Sequence, residues 1–115
     1  MALPVFDDGL ASEELDEMMD NARRATNFLK ALSHEGRLLI LCHLASGEKS
    51  VTELEDLLSA RQAAVSQQLA RLRLEGLVNF RRDGKAIYYS LGDERAVRLL
   101  ELVYDMFCKK EAEGG

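Results

Sequence analysis

No apolar run in these 115 residues approaches the length of a membrane span, and the N-terminus carries acids where a secretory leader needs a basic segment and an apolar core. A cytoplasmic protein without membrane contact is expected. Proline occurs once, in the stretch Met1 to Ser12, which has no sustained periodicity and is expected to form a loose arm. There is no internal repeat and no low-complexity segment. No phosphate-binding glycine loop is present, and no nucleophile, base and orienting residue are grouped, so an enzyme is not expected. Only two cysteines occur, and thiols in such a protein ordinarily behave as small core hydrophobes.

What is present is a chain of 47% hydrophobic and 30% charged residues, the balance of one soluble globular domain. The net charge of −5 argues against a nucleic-acid partner until its distribution is considered. Residues 1 to 20 hold seven acids and no Lys or Arg, whereas residues 61 to 85 hold six bases against two acids. Affinity for DNA depends on the face that meets it, not on the total.

That basic stretch belongs to a segment, Val51 to Leu91, that reads helix, turn, helix, hairpin. Val51, Leu54, Leu57 and Leu58 follow a helical stripe, with Ser50 or Thr52 as cap. After a break at Ser59 to Arg61, a second helix runs from about Gln62 to Glu75 with Val65, Leu69 and Leu72 inward, and Gly76 ends it. Its other face presents Ala63, Gln67, Ala70 and Arg71, flanked by Ser66 and Gln68. Gln and Arg can pair bidentately with base edges, and alanines permit close approach, although an ordinary solvated face looks similar. Leu77 to Arg82 and Lys85 to Leu91 flank Asp83-Gly84, a dipeptide suited to a two-residue turn. Arg81, Arg82 and Lys85 surround the tip. A charged tip also keeps an edge strand soluble, so its weight comes from its position directly after the helix pair. The expected fold is mainly α with a small β-hairpin wing, a winged helix-turn-helix that binds double-stranded DNA.

Elsewhere, Leu15, Met18, Met19, Ala22, Ala25, Leu29 and Leu32 mark a helix from Glu13 to about Ala31, capped by Ser12 and bending near Thr26-Asn27. Ser33 is placed to cap the next helix, Glu35 to about Ala45, which is apolar enough to be buried on most sides. His34 and His43 read as cap-region or packing residues. Asp93 is the expected cap of a last helix whose apolar arc, Ala96 to Phe107, is wider than one packing face requires. That surplus, with the apolar first helix, points to a homodimer through the terminal helices, the alternative being a monomer whose outer helices cover the core. The domain then spans 13–109, followed by a tail over 110–115.

Three phrases carry a family resemblance: Ala31-Leu32-Ser33-His34-Glu35-Gly36-Arg37-Leu38-Leu39-Ile40-Leu41, Ala64-Val65-Ser66-Gln67-Gln68-Leu69-Ala70-Arg71-Leu72-Arg73, and Gly76-Leu77-Val78 followed by Arg82-Asp83-Gly84-Lys85 and Tyr88-Tyr89. The chain resembles the ArsR family of bacterial repressors from about Ala22 to Cys108. The resemblance implies a homodimeric winged-helix protein that binds an imperfect inverted repeat in a promoter and is released by an inducer. Many members sense metals. One metal site of the family needs cysteines where this chain has Glu53-Leu54-Glu55-Asp56. Another needs Asp and His at the start of the last helix and His with an acid near its end; here Asp93 survives, but Arg95, Met106 and Lys109 fill other places. No metal and no cofactor is expected.

The remaining pair, Cys42 and Cys108, is placed as in the persulfide-responsive SqrR/BigR branch of that family. The implied function is a dithiol repressor that holds promoter DNA when reduced and is released when a persulfide or polysulfide bridges the two cysteines. A direct disulfide needs Cα atoms within about 7 Å, whereas inserted sulfur lengthens the link. Lys109 and Lys110 adjoin Cys108 and would favour its thiolate. A general thiol-oxidant sensor, a metal-responsive repressor and a winged module that binds proteins instead of DNA remain as alternatives.

Overall fold

The structure is a computed structural model that describes residues 12–59 and 62–108. Helix α1 (Ser12–Leu32) leads into α2 (Glu35–Leu44), a short strand β1 (Lys49–Ser50), α3 (Val51–Leu58) and α4 (Gln62–Leu74). Strands β2 (Val78–Asp83) and β3 (Ala86–Leu91) follow, then α5 (Glu94–Val103), which runs into a π-helical turn over Tyr104–Cys108. The expected arm up to residue 11, the tail, Arg61, Lys109 and Lys110 lie outside the described residues, as does the side chain of Ala63.

The core is drawn from all five helices and the start of the hairpin. The inward stripe of α4, Val65, Leu69 and Leu72, is buried against Leu54 of α3 and Ile40, Leu41 and Leu44 of α2. Burying each leucine contributes about 2 kcal/mol, so these side chains hold the helix pair in its angle. In α3 the expected stripe holds only partly: Leu54 is buried, Val51 and Leu58 are half-buried, and Leu57 faces outward. Nor is α2 buried on most sides, because Leu39 and Cys42 lie at the surface. Helices α1, α3 and α4 and strand β3 pack against α2 and leave Leu39 and Cys42 uncovered.

Local chemistry sets the boundaries. His34, and not Ser33, caps α2: its Nδ1 accepts from the amides of Gly36 at 3.0 Å and Arg37 at 3.4 Å. An imidazole nitrogen with a lone pair performs the same task as the usual cap oxygen. Ser50 caps α3 in a reciprocal pair, its Oγ accepting from the Glu53 amide while Glu53 Oε1 accepts from the Ser50 amide. The end of α4 is closed by Gly76 at φ +76°, with Gly76 N–H donating to Arg73 O and Leu77 N–H to Leu72 O. This is the double bond of a Schellman turn, and it places Leu77 and Leu72 together in the core. Helix α1 is continuous through Thr26-Asn27, where the Thr26 hydroxyl donates to Ala22 O at 2.7 Å and is satisfied within the helix.

The sheet has the order β1-β3-β2, antiparallel throughout, and β1 was not expected from the sequence. In the hairpin Asp83 pairs with Ala86, so the two central turn residues are Gly84 and Lys85 instead of Asp83 and Gly84. Only Gly84 has positive φ, at +63°, which is the requirement of a II′ turn with glycine first. The shift of one residue lengthens β2 to include Asp83 and puts Lys85 at the apex.

The radius of gyration is 17.7 Å, against about 13 Å for a compact domain of this length. Helix α1 contributes to that extension. It joins the body through Phe28, Ala31 and Leu32 near its C-terminal end, while Leu15, Met19 and Leu29 of the same helix stay exposed.

Candidate nucleic-acid interface and thiol site

Burial of Val65, Leu69 and Leu72 turns the opposite side of α4 to solvent. Ser66, Gln67, Ala70 and Arg71 are all exposed on it. Arg71 makes a loose ion pair with Glu75 one turn on, at 3.6 Å, a contact of the kind that solvent screens and a base edge can displace. Gln68 departs from expectation. It is half-buried, and its Oε1 accepts from Arg37 Nη1 at 3.0 Å. Arg37 also donates to Ala31 O at 2.6 Å and Lys30 O at 3.1 Å, so one guanidinium joins the end of α1, the start of α2 and the middle of α4. Sequence reading missed Arg37, since a lone Arg early in an apolar helix gives no sign of three distant acceptors.

The three wing cations are not equivalent. Arg81 is held in a two-pronged bond by Glu48, at 2.8 and 2.7 Å, with Asp83 at 3.7 Å and the Tyr88 ring beneath it at 4.8 Å. The hydrogen bonds from Arg81 hold the Glu48 carboxyl below its usual range, and Arg81 is raised in return. Arg82 and Lys85 are exposed and have no hydrogen bond or ion pair among the described residues. Arg73 on α4 is exposed and lies 3.9 Å from the centre of the Phe80 ring of β2. Arg71 and Arg73 on α4 and Arg82 and Lys85 on the wing are thus exposed cations, whereas Arg81 is held by Glu48.

A second site lies on the other side of α2. Neither cysteine is in the core: Cys42 on α2 and Cys108 at the end of the π-helical turn are both free and exposed. Cys42 opens onto a cleft of about 560 Å³ between α2 and the last helix, lined also by Ala45, Val97, Leu100, Glu101, Tyr104 and Asp105. Its thiol is pushed up from the ordinary value, first by partial burial and second by the charge of Cys108, which lies near enough to act on it. The wider π-helical winding matters here, because it turns the residues after Val103 by less per step than an α-helix and so resets where Cys108 points. Among the described residues no group of three His, Cys, Asp or Glu side chains is arranged to hold a metal ion. None of their helices is long and apolar enough to cross a membrane.

The chain is similar to known proteins. The model of the family described as bacterial regulatory protein, arsR family, matches residues 34–79. Over 97 residues the chain is 45% identical to the biofilm growth-associated repressor of Agrobacterium fabrum, covering 84% of this chain and 83% of that protein. It is 40% identical over 99 residues to the transcriptional activator HlyU of Vibrio cholerae, covering 86% and 92%. Among solved structures, reduced HlyU from Vibrio cholerae superposes with a TM-score of 0.78 at 41% identity, over 81% of this chain and 98% of that one. The transcriptional repressor BigR from Xylella fastidiosa gives 0.76 at 41% identity, over 83% and 97%.

Proposed function

Since the chain belongs to the ArsR family of bacterial DNA-binding regulators, with the winged-helix fold of that family, we propose that it is a homodimeric transcriptional repressor switched by Cys42 and Cys108. Reduced, it binds an inverted repeat in promoter DNA; bridged by sulfur from a persulfide or polysulfide, it lets go. In each subunit Ser66, Gln67 and Arg71 face the major groove, and Arg82 and Lys85 meet the backbone or minor groove. Gln68 contributes from the flank while pinned by Arg37, and Arg81 sets the wing instead of touching DNA.

The observation that carries this reading is the pair of free, exposed thiols on two different helices, one of them opening onto the cleft and feeling the charge of the other. Two sulfane transfers and one condensation balance without an added oxidant. Each cysteine takes the outer sulfur of a donor RS–SH and releases RSH. One protein persulfide then attacks the inner sulfur of the other and expels hydrogen sulfide, leaving a trisulfide link. That link ties α2 to the helix that carries the dimer surface.

Dimerisation is supported by apolar residues left in water. Leu15, Met19 and Leu29 of α1 and Leu102, Met106 and Phe107 at the other end of the chain are all exposed, Phe107 to 78%. A second copy covering both helices removes that surface from water, and a two-fold dimer presents two α4 helices to half-sites one helical turn apart.

The test is reaction of reduced protein with a persulfide and, separately, with diamide, followed by intact mass, peptide mapping and DNA affinity. A Cys42 to Cys108 link with added sulfur and loss of DNA is expected under persulfide. Release from DNA in Cys42→Ser and Cys108→Ser as in the parent would overturn the coupling. A plain disulfide under both reagents would make the protein a general oxidant sensor.

A further inference from the structure

The cleft beside Cys42 is charged on one side only. Ala45, Val97, Leu100 and the Tyr104 ring supply mostly apolar walls, and the other lining residues besides the cysteine are Glu101 and Asp105. No Lys, Arg or His lines it among the described residues. The two acids lie one turn apart on the last helix, so they share the edge of the cleft, and Glu101 is exposed on that edge. A cleft lined by charge of one sign over walls of low polarity focuses the field into its mouth. Any donor that reaches Cys42 enters that field.

We propose that Glu101 makes this cleft select sulfane-sulfur donors by charge, admitting a donor with a neutral or cationic body faster than one with an anionic body. This deepens the thiol-sensor reading and rests on it. The reaction is the same for each donor: the Cys42 thiolate attacks the outer sulfur of RS–SH, the S–S bond breaks, and RS⁻ leaves and takes up a proton as Cys42 becomes a persulfide. Glu101 acts on the encounter, before any bond changes. Glu101 is thus a specificity-determining residue, not a catalytic one.

Glutathione persulfide and its diethyl ester carry the same reacting group on bodies of opposite net charge. Each is reacted with the reduced full-length protein, and sulfur gain at Cys42 is followed by mass. Each rate constant is divided by that of the same donor with N-acetylcysteinamide, which removes intrinsic differences in reactivity. The ester is expected to react about fivefold faster than the parent persulfide at low salt, from two units of charge acting across roughly a nanometre of wet cleft. That ratio should fall toward one as salt shortens the screening length, and Glu101→Gln should lower it by at least about twofold at low salt. A ratio at or below one, or a ratio that neither salt nor Glu101→Gln alters, overturns the proposal while leaving the sensor reading in place. Sulfur gain from neither donor at either cysteine overturns both.

Discussion

Replacing Arg82 with alanine is expected to lower the salt dependence of DNA binding, and replacing Arg81 is expected to leave it nearly untouched. The contrast comes from geometry, since the two residues are neighbours of equal charge on one exposed strand. Arg81 already spends its guanidinium on both oxygens of Glu48, whereas Arg82 has no ion pair among the described residues. Each phosphate neutralised contributes about 0.9 to the slope of log affinity against log salt, so two wings in a dimer contribute about 1.8. Between about 50 and 200 mM salt the parent should then lose about tenfold more affinity than Arg82→Ala. Fluorescence anisotropy with one operator duplex and one scrambled duplex, titrated at four salt concentrations, measures both slopes. Equal reductions from Arg81→Ala and Arg82→Ala would refute the argument, because they would mean that the Glu48 pair opens on DNA and that Arg81 is a phosphate ligand after all.

Further expectations concern stability and assembly. Arg37→Met keeps the packed stem but strips hydrogen bonds to Ala31, Lys30 and Gln68, and should lower stability by about 2 kcal/mol in urea unfolding at fixed protein concentration; a loss under about 0.5 kcal/mol would contradict the staple. Asp93 accepts from the Arg95 amide at 2.8 Å at the start of α5, and its carboxyl is held below the usual range chiefly by the Arg95 side chain. Its contribution is therefore present above the ordinary carboxylate range and lost as pH falls through the depressed folded value; Asp93→Asn should flatten that acid limb, and an unaltered profile would be the contrary result. For Cys42, raised by burial and then by Cys108, stability is full below the ordinary thiol value and declines as pH climbs through the raised folded value, a decline that Cys42→Ser should abolish in alkaline unfolding curves. Leu102→Glu places a charge on the exposed terminal face and should shift sedimentation toward monomer with the fold intact; an unchanged dimer would move the interface elsewhere.

Much of the helix-turn-helix was legible because it follows from periodicity and from residues with one main use. Val65, Leu69 and Leu72 could bury together only on one side of a helix, and that choice alone exposed Gln67 and Arg71. Gly76 marked the end of α4 because its backbone sits where side chains are disfavoured. The errors came where several residues could serve. Ser33 and His34 are both able to cap α2, and the chain uses the imidazole. Asp83-Gly84 and Gly84-Lys85 both suit a tight turn, and the register of Tyr88 and Tyr89 against β1 and β2 selects the second. Strand β1 has two residues, too few for any alternation to register.

At the level of chain alone, hydrophobic spacing, glycine positions and the separation of acids from bases were enough to specify a winged helix-turn-helix with one basic face. Those signals are local: each depends on residues within a few positions of one another. Which cations are free, and where the thiols lie, are not local properties. Glu48 is 33 residues from Arg81 and Gln68 is 31 from Arg37, and only folding brings these partners within hydrogen-bond distance. The same holds for Cys42 and Cys108, which composition would assign to the core. They lie at the surface because the elements packed on α2 leave Cys42 uncovered and because no residue of the π-helical turn that ends in Cys108 is buried, leaving a cleft with a thiol on its wall.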